Sequence, residues 1–187
     1  MRRFRHPFTL VELLCVVIVI ALLAAMSVKI TQIAYQRADK TKTQTVLEIF
    51  RNANEQYKLK NGYYLPTSLS SVCNTNFVTP AENSSKNVYY RVKIVNSEFS
   101  DFFGDAYETL KSMPTKDGND DYIRDAWGNE IRYCCPGKYN TGSYDLYSIG
   151  KDGETLICDP ENTSSYNKLK RNGFGDDITN FKDPSIK

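Results

Sequence analysis

"HPFTLVELLCVVIVIALLAAM" runs from His6 to Met26 and holds one acidic side chain, Glu12. No charge occurs from Leu13 to Val28, and with Glu12 included the apolar run Phe8–Val28 makes 21 residues. At a helical rise of about 1.5 Å per residue that is roughly 30 Å, one hydrocarbon thickness. A carboxylate at mid-bilayer costs roughly 3 kcal/mol on insertion scales and less towards the edge, so Glu12 calls for a partner. A cleaved secretory signal has a shorter apolar middle, no acid and a small-x-small site, and "LLAAMSVKI" offers only a poor one. Charge orients the span weakly. Arg2, Arg3 and Arg5 precede it, while Lys29, Arg37, Lys40 and Lys42 follow it.

The helical pattern continues past the apolar run. "KITQIAYQRADKTKTQTVLEIFRNANEQYKLKNGYYLPT" has no glycine or proline before Gly62. Val46, Ile49, Phe50, Ala53 and Tyr57 form an apolar stripe at helical spacing. Asn61-Gly62 is the stop signal, followed by Pro66. The spacing predicts a helix over Phe8–Lys60, on the order of 80 Å long. Its first half is apolar all round and belongs in lipid or against copies of itself. Its second half has one apolar face and needs a soluble domain to pack on.

The remainder supplies that domain. Phe99, Phe102, Phe103, Ala106, Tyr107 and Leu110 fall on roughly one face and predict a short second helix. "NVYYRVKIV" predicts a strand over Val88–Val95, and "NEIRYCC" and "YDLYSIG" predict two more around a turn at Pro136-Gly137. The implied fold is α+β, a long N-terminal helix against a small antiparallel sheet. The 13 tyrosines are read as half-buried sheet and core residues rather than a carbohydrate-stacking surface.

Several function classes drop out. Beyond Pro7 the chain carries 21 basic and 22 acidic side chains, so no broad basic field attracts nucleic acid. The single histidine is His6, which excludes Ser-His-Asp and Cys-His catalysis. "GKDGET" is not a phosphate loop, and Asp120-Asp121 sit in a polar turn, not an acid-base pair, so no enzyme is expected. Cys73, Cys134, Cys135 and Cys158 lack zinc-knuckle spacing. In a chain with an export-like start they suggest one or two disulfides, with free buried thiols as the alternative, and a bond from Cys158 to the "YCC" strand would staple a loop of about 23 residues, worth roughly 3 kcal/mol. Adjacent Cys134-Cys135 are expected to pair elsewhere, or only one of them to pair. Asp152 in "YSIGKDGET" and Asp176-Asp177 in "NGFGDDITNF" lie in glycine-flanked loops that are either solvated turns or a Ca²⁺ site, and EF-hand spacing is absent.

"FTLVELLCVVIVIALLAA" resembles the amino-terminal segment of type IV pilins and of the pseudopilins of type II secretion. There a basic leader precedes a phenylalanine, and a glutamate is the fifth residue after the cut, the spacing of Phe8 and Glu12. "RDAWGNEIRYCCPG", "YDLYSIGKDG" and "GDDI" resemble the carboxy-terminal block of the major pseudopilin of type II secretion, and "LKNGYYLPT" its first-helix exit. Pro7 stands where that family has glycine, Ala126 where it has proline, and 24 residues separate Asp152 from Asp177, more than the compact family loop.

The resemblance implies a type IV pilin-like fold. Residues 1–7 would be leader, 8–28 the membrane half of the helix, 29–61 its soluble half and 62–187 the soluble α/β region. It implies cleavage by a prepilin peptidase between Pro7 and Phe8 with N-methylation of Phe8. It also implies an assembly role for Glu12 against the neighbouring subunit's amine, and Ca²⁺ held by Asp152 and Asp177, with Ser148 and Asp176 as further candidates. The implied function is a homo-oligomeric helical pseudopilus filament in type II protein secretion. Its partners would be minor pseudopilins or pilins and an inner-membrane assembly platform, with no nucleic acid required. The span would lie in the bacterial inner membrane with the N-terminus cytoplasmic and the domain periplasmic. The alternatives are a surface type IV pilus for adhesion, motility or DNA uptake, and a monomeric membrane-anchored binding module.

Overall fold

A computed structural model of the chain describes residues 10–67, 73–74, 89–94, 99–116, 118, 121–155, 157 and 163–183. The expected leader and its cut at Pro7-Phe8 lie outside these residues, as do Asp120 and Cys158. Helix α1 spans Leu10–Asn61, 52 residues without a glycine or proline to interrupt the ladder. It ends where the sequence places its stop. Gly62 takes φ +84° and donates its amide to Lys58 O at 2.7 Å, while Asn61 Nδ2 donates to Tyr57 O at 3.0 Å. A left-handed glycine closing the last carbonyls is the usual helix exit.

The chain divides into two units, Met1–Asp39 and Lys40–Lys187. In the first unit, the described side chains of α1 are almost all exposed. In the second, α1 contributes Val46, Leu47, Phe50, Ala53 and Tyr57 to a core, all buried. Phe50 packs on Phe99 and Tyr133 with ring centroids 5.4 and 5.1 Å apart. Full burial of such side chains contributes roughly 1.5–3 kcal/mol each.

Five short strands form one antiparallel sheet in chain order: β1 Cys73–Asn74, β2 Tyr90–Val92, β3 Arg132–Cys134, β4 Asp145–Ser148 and β5 Ile178–Thr179. β2, β3 and β4 fall within the three expected strand segments. The expected second helix is a 3₁₀ turn, Ser100–Ala106, kinked at Gly104 and followed by α2, Tyr107–Lys111. Tyr133 pairs with Leu146, and both enter the core under α1. Their neighbours Cys134 and Tyr147 enter a second core with Ile149, Ile157, Leu169, Phe174 and Phe181. β3 and β4 are therefore buried on both faces. The second cover comes largely from helix α3, Thr163–Asn172, and the segment after it. The long insertion past Asp152 thus carries structure that its polar composition concealed.

A buried polar triangle ties α1 to the sheet and to the helix exit. Asn54 Oδ1 accepts Leu65 N at 2.9 Å, Asn54 Nδ2 donates to Tyr133 Oη at 3.2 Å, and Tyr133 Oη donates to Leu65 O at 2.7 Å. Asn54 and Tyr133 are fully buried, so each polar atom so paired escapes a desolvation cost of about 1–3 kcal/mol.

Candidate functional site

Two places in the molecule carry chemistry. One is the apolar start of α1. Val16, Val17, Ile18, Val19 and Ile20 are consecutive, so they point all round the helix, and each is 50% exposed or more. A helix apolar on every side has no single face to bury and needs an apolar surround. It is, among the described residues, the one helix long and apolar enough to cross a membrane. Glu12 lies exposed in the first turn, where the helix dipole favours an acid.

The other place is a group of loops at the end of the sheet. It begins with the turn "DAWGN", Asp125 to Asn129. Asp125 is fully buried, and its Oδ1 accepts Trp127 N at 2.9 Å and Asn129 N at 2.8 Å. Its Oδ2 accepts Ser148 Oγ at 2.6 Å. Burial raises the Asp125 carboxyl above its ordinary value, and these hydrogen bonds oppose that rise. Ala126 N donates to the buried Thr43 Oγ1 of α1 at 3.1 Å, which seats the turn on the helix. Asn129 Oδ1 accepts from Lys116 Nζ, which turns the amide so that Nδ2 donates to Gly150 O at 2.6 Å.

Gly150 takes φ +68°, and a Cβ there would lie 2.6 Å from the Asp176 carboxylate. The turn after it offers two successive amides, Lys151 N at 2.6 Å and Asp152 N at 3.2 Å, to Asp176 Oδ2. Asp152 Oδ1 accepts Glu154 N at 2.9 Å. Asp177 Oδ2 accepts Thr155 Oγ1 at 2.8 Å, whereas Asp177 Oδ1 is buried with no hydrogen-bond partner among the described residues. Burial first, then the nearby Asp176 and Asp152, pushes the Asp177 carboxyl up to about 7, against the pull of Thr155 and Arg132.

The fold therefore brings Asp152, Asp176 and Asp177 to one place across 24 residues of chain. Ser148 stands beneath them, its hydroxyl engaged by Asp125 and by Gly150 N at 3.1 Å. No group of three His, Cys, Asp or Glu side chains is arranged to hold a metal as it stands, among the described residues.

The cysteines lie elsewhere. Cys134 Sγ faces Pro136 O at 3.3 Å and Cys135 Sγ faces Ser143 O at 3.9 Å, and burial raises the Cys135 thiol. The backbone of Cys73 pairs with Val92 in the sheet.

Two further buried clusters were not anticipated. Glu130 gathers Arg91 at 3.0 Å, Arg124 at 3.6 Å and Arg132 at 3.7 Å. Desolvation brings Arg132 down to about 10. Asp145 is fully buried, and its carboxylate accepts the amides of Lys138, Tyr139 and Asn140 at 2.6–2.9 Å and Tyr89 Oη at 3.2 Å. The signal for Asp125 was present, since Asp followed by Gly128 and Asn129 is turn chemistry, whereas the turn residues that Asp145 pins, Pro136 to Asn140, precede it.

An apolar N-terminal helix, continued by a stripe on which a small antiparallel sheet packs, defines the type IV pilin-like class. Within it, the family model for type II secretion system (T2SS), protein G, matches residues 105–162. The chain is 29% identical over 180 residues to the type II secretion system core protein G of Escherichia coli K12, covering 95% of this chain and 91% of that one. It is 28% identical over 153 residues to the core protein G of Pseudomonas aeruginosa, covering 82% and 88%. With that of Vibrio cholerae it is 29% identical over 152 residues, covering 81% and 84%. The chain is thus similar over most of its length to core protein G of type II secretion systems in these organisms.

Proposed function

We propose that this chain is a structural subunit of a periplasmic pseudopilus filament in type II protein secretion, held in the inner membrane and assembled through the apolar half of α1. Its work is mechanical, and it catalyses no reaction. The observation that carries the reading is the run Val16–Ile20, exposed on every side of one helix whose later turns lie under a folded domain. Before assembly lipid surrounds those residues. In the filament the same residues of other copies replace the lipid, so subunits pass from membrane to bundle without exposing apolar surface to water. The N-terminus is cytoplasmic and the sheet domain periplasmic.

Glu12 supplies register. Cleavage between Pro7 and Phe8 leaves a positive amine four residues before it, and in a bundle the Glu12 carboxylate of one copy faces the amine of the next. Stranding one partner of a dry ion pair costs about 3–5 kcal/mol, enough to select one stagger. Minor pseudopilins, the prepilin peptidase and the membrane assembly platform are the partners this route requires.

Calcium is the proposed ligand of the acidic loops. Asp176 is seated on the amides of Lys151 and Asp152, its neighbour Asp177 keeps a buried oxygen with no hydrogen-bond partner among the described residues, and hard oxygen donors of that kind suit Ca²⁺. Asp152, Asp176 and Asp177 would hold the ion, and Ser148 would contribute its backbone carbonyl rather than its hydroxyl, which is engaged. A bound cation would neutralise their mutual repulsion and lock the two ends of the insertion together.

Glu12→Ala in native membranes tests assembly. The variant should insert normally and yield no filaments, with the set of secreted proteins reduced as in a gene deletion. Normal filament yield would sink the assembly role of Glu12. Loss of surface filaments with intact secretion would move the protein to the surface-pilus reading.

A further inference from the structure

We infer that Asn129 and Asp125 are positioning residues that set the backbone of the 150–152 turn, and through it the carboxylates of Asp152 and Asp176. Calcium enters this inference by resting on the ligand proposed above. The geometry is a closed bracket. Its fixed end is α1, where Thr43 Oγ1 holds Ala126 N. Asp125 then fastens the turn onto itself through Trp127 N and Asn129 N, and fastens β4 to it through Ser148 Oγ.

From there both polar groups of the Gly150 backbone are claimed. Its N–H donates to Ser148 Oγ at 3.1 Å and its carbonyl accepts Asn129 Nδ2 at 2.6 Å. Lys116 donates to the other end of the Asn129 amide, so a flip would set Oδ1 against Gly150 O and Nδ2 against the Lys116 ammonium. Gly150 is thereby held left-handed, and the next two amides aim at Asp176 Oδ2. Asn129 is buried, and Asp125 and Ser148 fully so, and the hydrogen bonds of Asn129 and Ser148 run to the Gly150 backbone rather than to the carboxylates of Asp152 and Asp176. They act through Gly150.

Positioning and mere structural support differ in what they move. Asn129→Asp keeps the shape and the Lys116 contact but sets an acceptor against Gly150 O, while Ser148→Ala removes the partner of Gly150 N. Asn54→Ala, in the polar triangle under α1, serves as a purely structural comparison. Calcium chloride is titrated by calorimetry into the full chain in detergent, with hydrogen exchange followed by mass spectrometry over residues 148–154.

The expected result is a calcium Kd weakened at least tenfold in Asn129→Asp and at least threefold in Ser148→Ala. Exchange over 148–154 should be accelerated tenfold or more in both. Asn54→Ala should melt lower yet keep the wild-type Kd. Wild-type Kd and exchange in a folded Asn129→Asp would overturn the inference, as would an equal loss of affinity in Asn54→Ala. Should Asn129→Asp fail to fold by circular dichroism, Ser148→Ala decides by the same readings. If the wild-type chain takes up no calcium, the calcium reading falls by itself, and the exchange rates alone decide the bracket: unchanged protection in the variants overturns it.

Discussion

Four glycines separate the two ways in which a methyl group can damage this fold. Gly142 has open space around it and no positive φ, and Gly62 has open space at φ +84°. Gly137 has no positive φ, but a Cβ would meet Asp145 Oδ1 at 2.6 Å and Asn140 O at 2.7 Å. Gly150 has both burdens, φ +68° and contacts of 2.6 Å to the Asp176 carboxylate and 2.8 Å to Asp176 O. Alanine at Gly142 should raise stability by about 0.4–1 kcal/mol, since a compatible Gly→Ala change favours the fold through the unfolded chain. At Gly62 the left-handed conformation alone costs about 1–2 kcal/mol. At Gly150 the same strain is joined by eviction of Asp176 from two amides. Such charge-assisted bonds are worth about 1.5–3 kcal/mol each when buried. Lys151 and Asp152 are exposed, so water replaces most of that, and we take about 1 kcal/mol per bond. The expected cost is then about 3–4 kcal/mol. Gly137→Ala should match or exceed it, because the carboxylate it displaces is fully buried. Urea unfolding of the full chain in detergent, followed by the fluorescence of Trp127, the single tryptophan, gives all four values. A Gly150→Ala variant no less stable than Gly62→Ala would refute the claim that the Asp176 carboxylate is seated against this turn.

Two further outcomes follow from the second unit. Leu169→Ala, at a fully buried position of α3, should cost about 2–5 kcal/mol by urea unfolding, whereas a cost within 0.5 kcal/mol, about that of a surface change, would mean that α3 does not cap the sheet. In calcium-free buffer the Asp177 carboxyl titrates near 7 in the fold against an ordinary 3.8. The folded form binds that proton more tightly than the unfolded chain, so its contribution is full below the ordinary value and is lost as pH rises towards about 7. The urea midpoint of the wild type should therefore fall, relative to Asp177→Asn, between pH 4 and 7, and parallel profiles would remove that account.

The apolar run, its length and the stop at Gly62 were legible because they are local. An unbroken helix and its exit depend on neighbours within a few residues. The stripe Val46–Tyr57 likewise declared its buried face through spacing alone. β2, β3 and β4 were visible as short apolar and aromatic runs with turn residues between them. The sequence could also put Asp152 and Asp177 in glycine-flanked loops.

What tertiary structure decided was contact across distance. The polar string Thr163–Asn172 hides one decisive side chain, Leu169, whose burial depends on a second sheet face that composition does not reveal. β3 and β4 lose strand alternation for the same reason, being covered on both sides. Asp125, Asn129 and Asp145 read locally as polar turn residues, and only burial makes them structural pins, because a carboxylate out of water must collect every donor the turn can offer. The meeting of Asp176 with the amides of Lys151 and Asp152 joins positions 24 or more residues apart. No periodicity encodes it, and the chain between them is anchored by α3, whose Leu169 shares the second core with Tyr147 and Phe181.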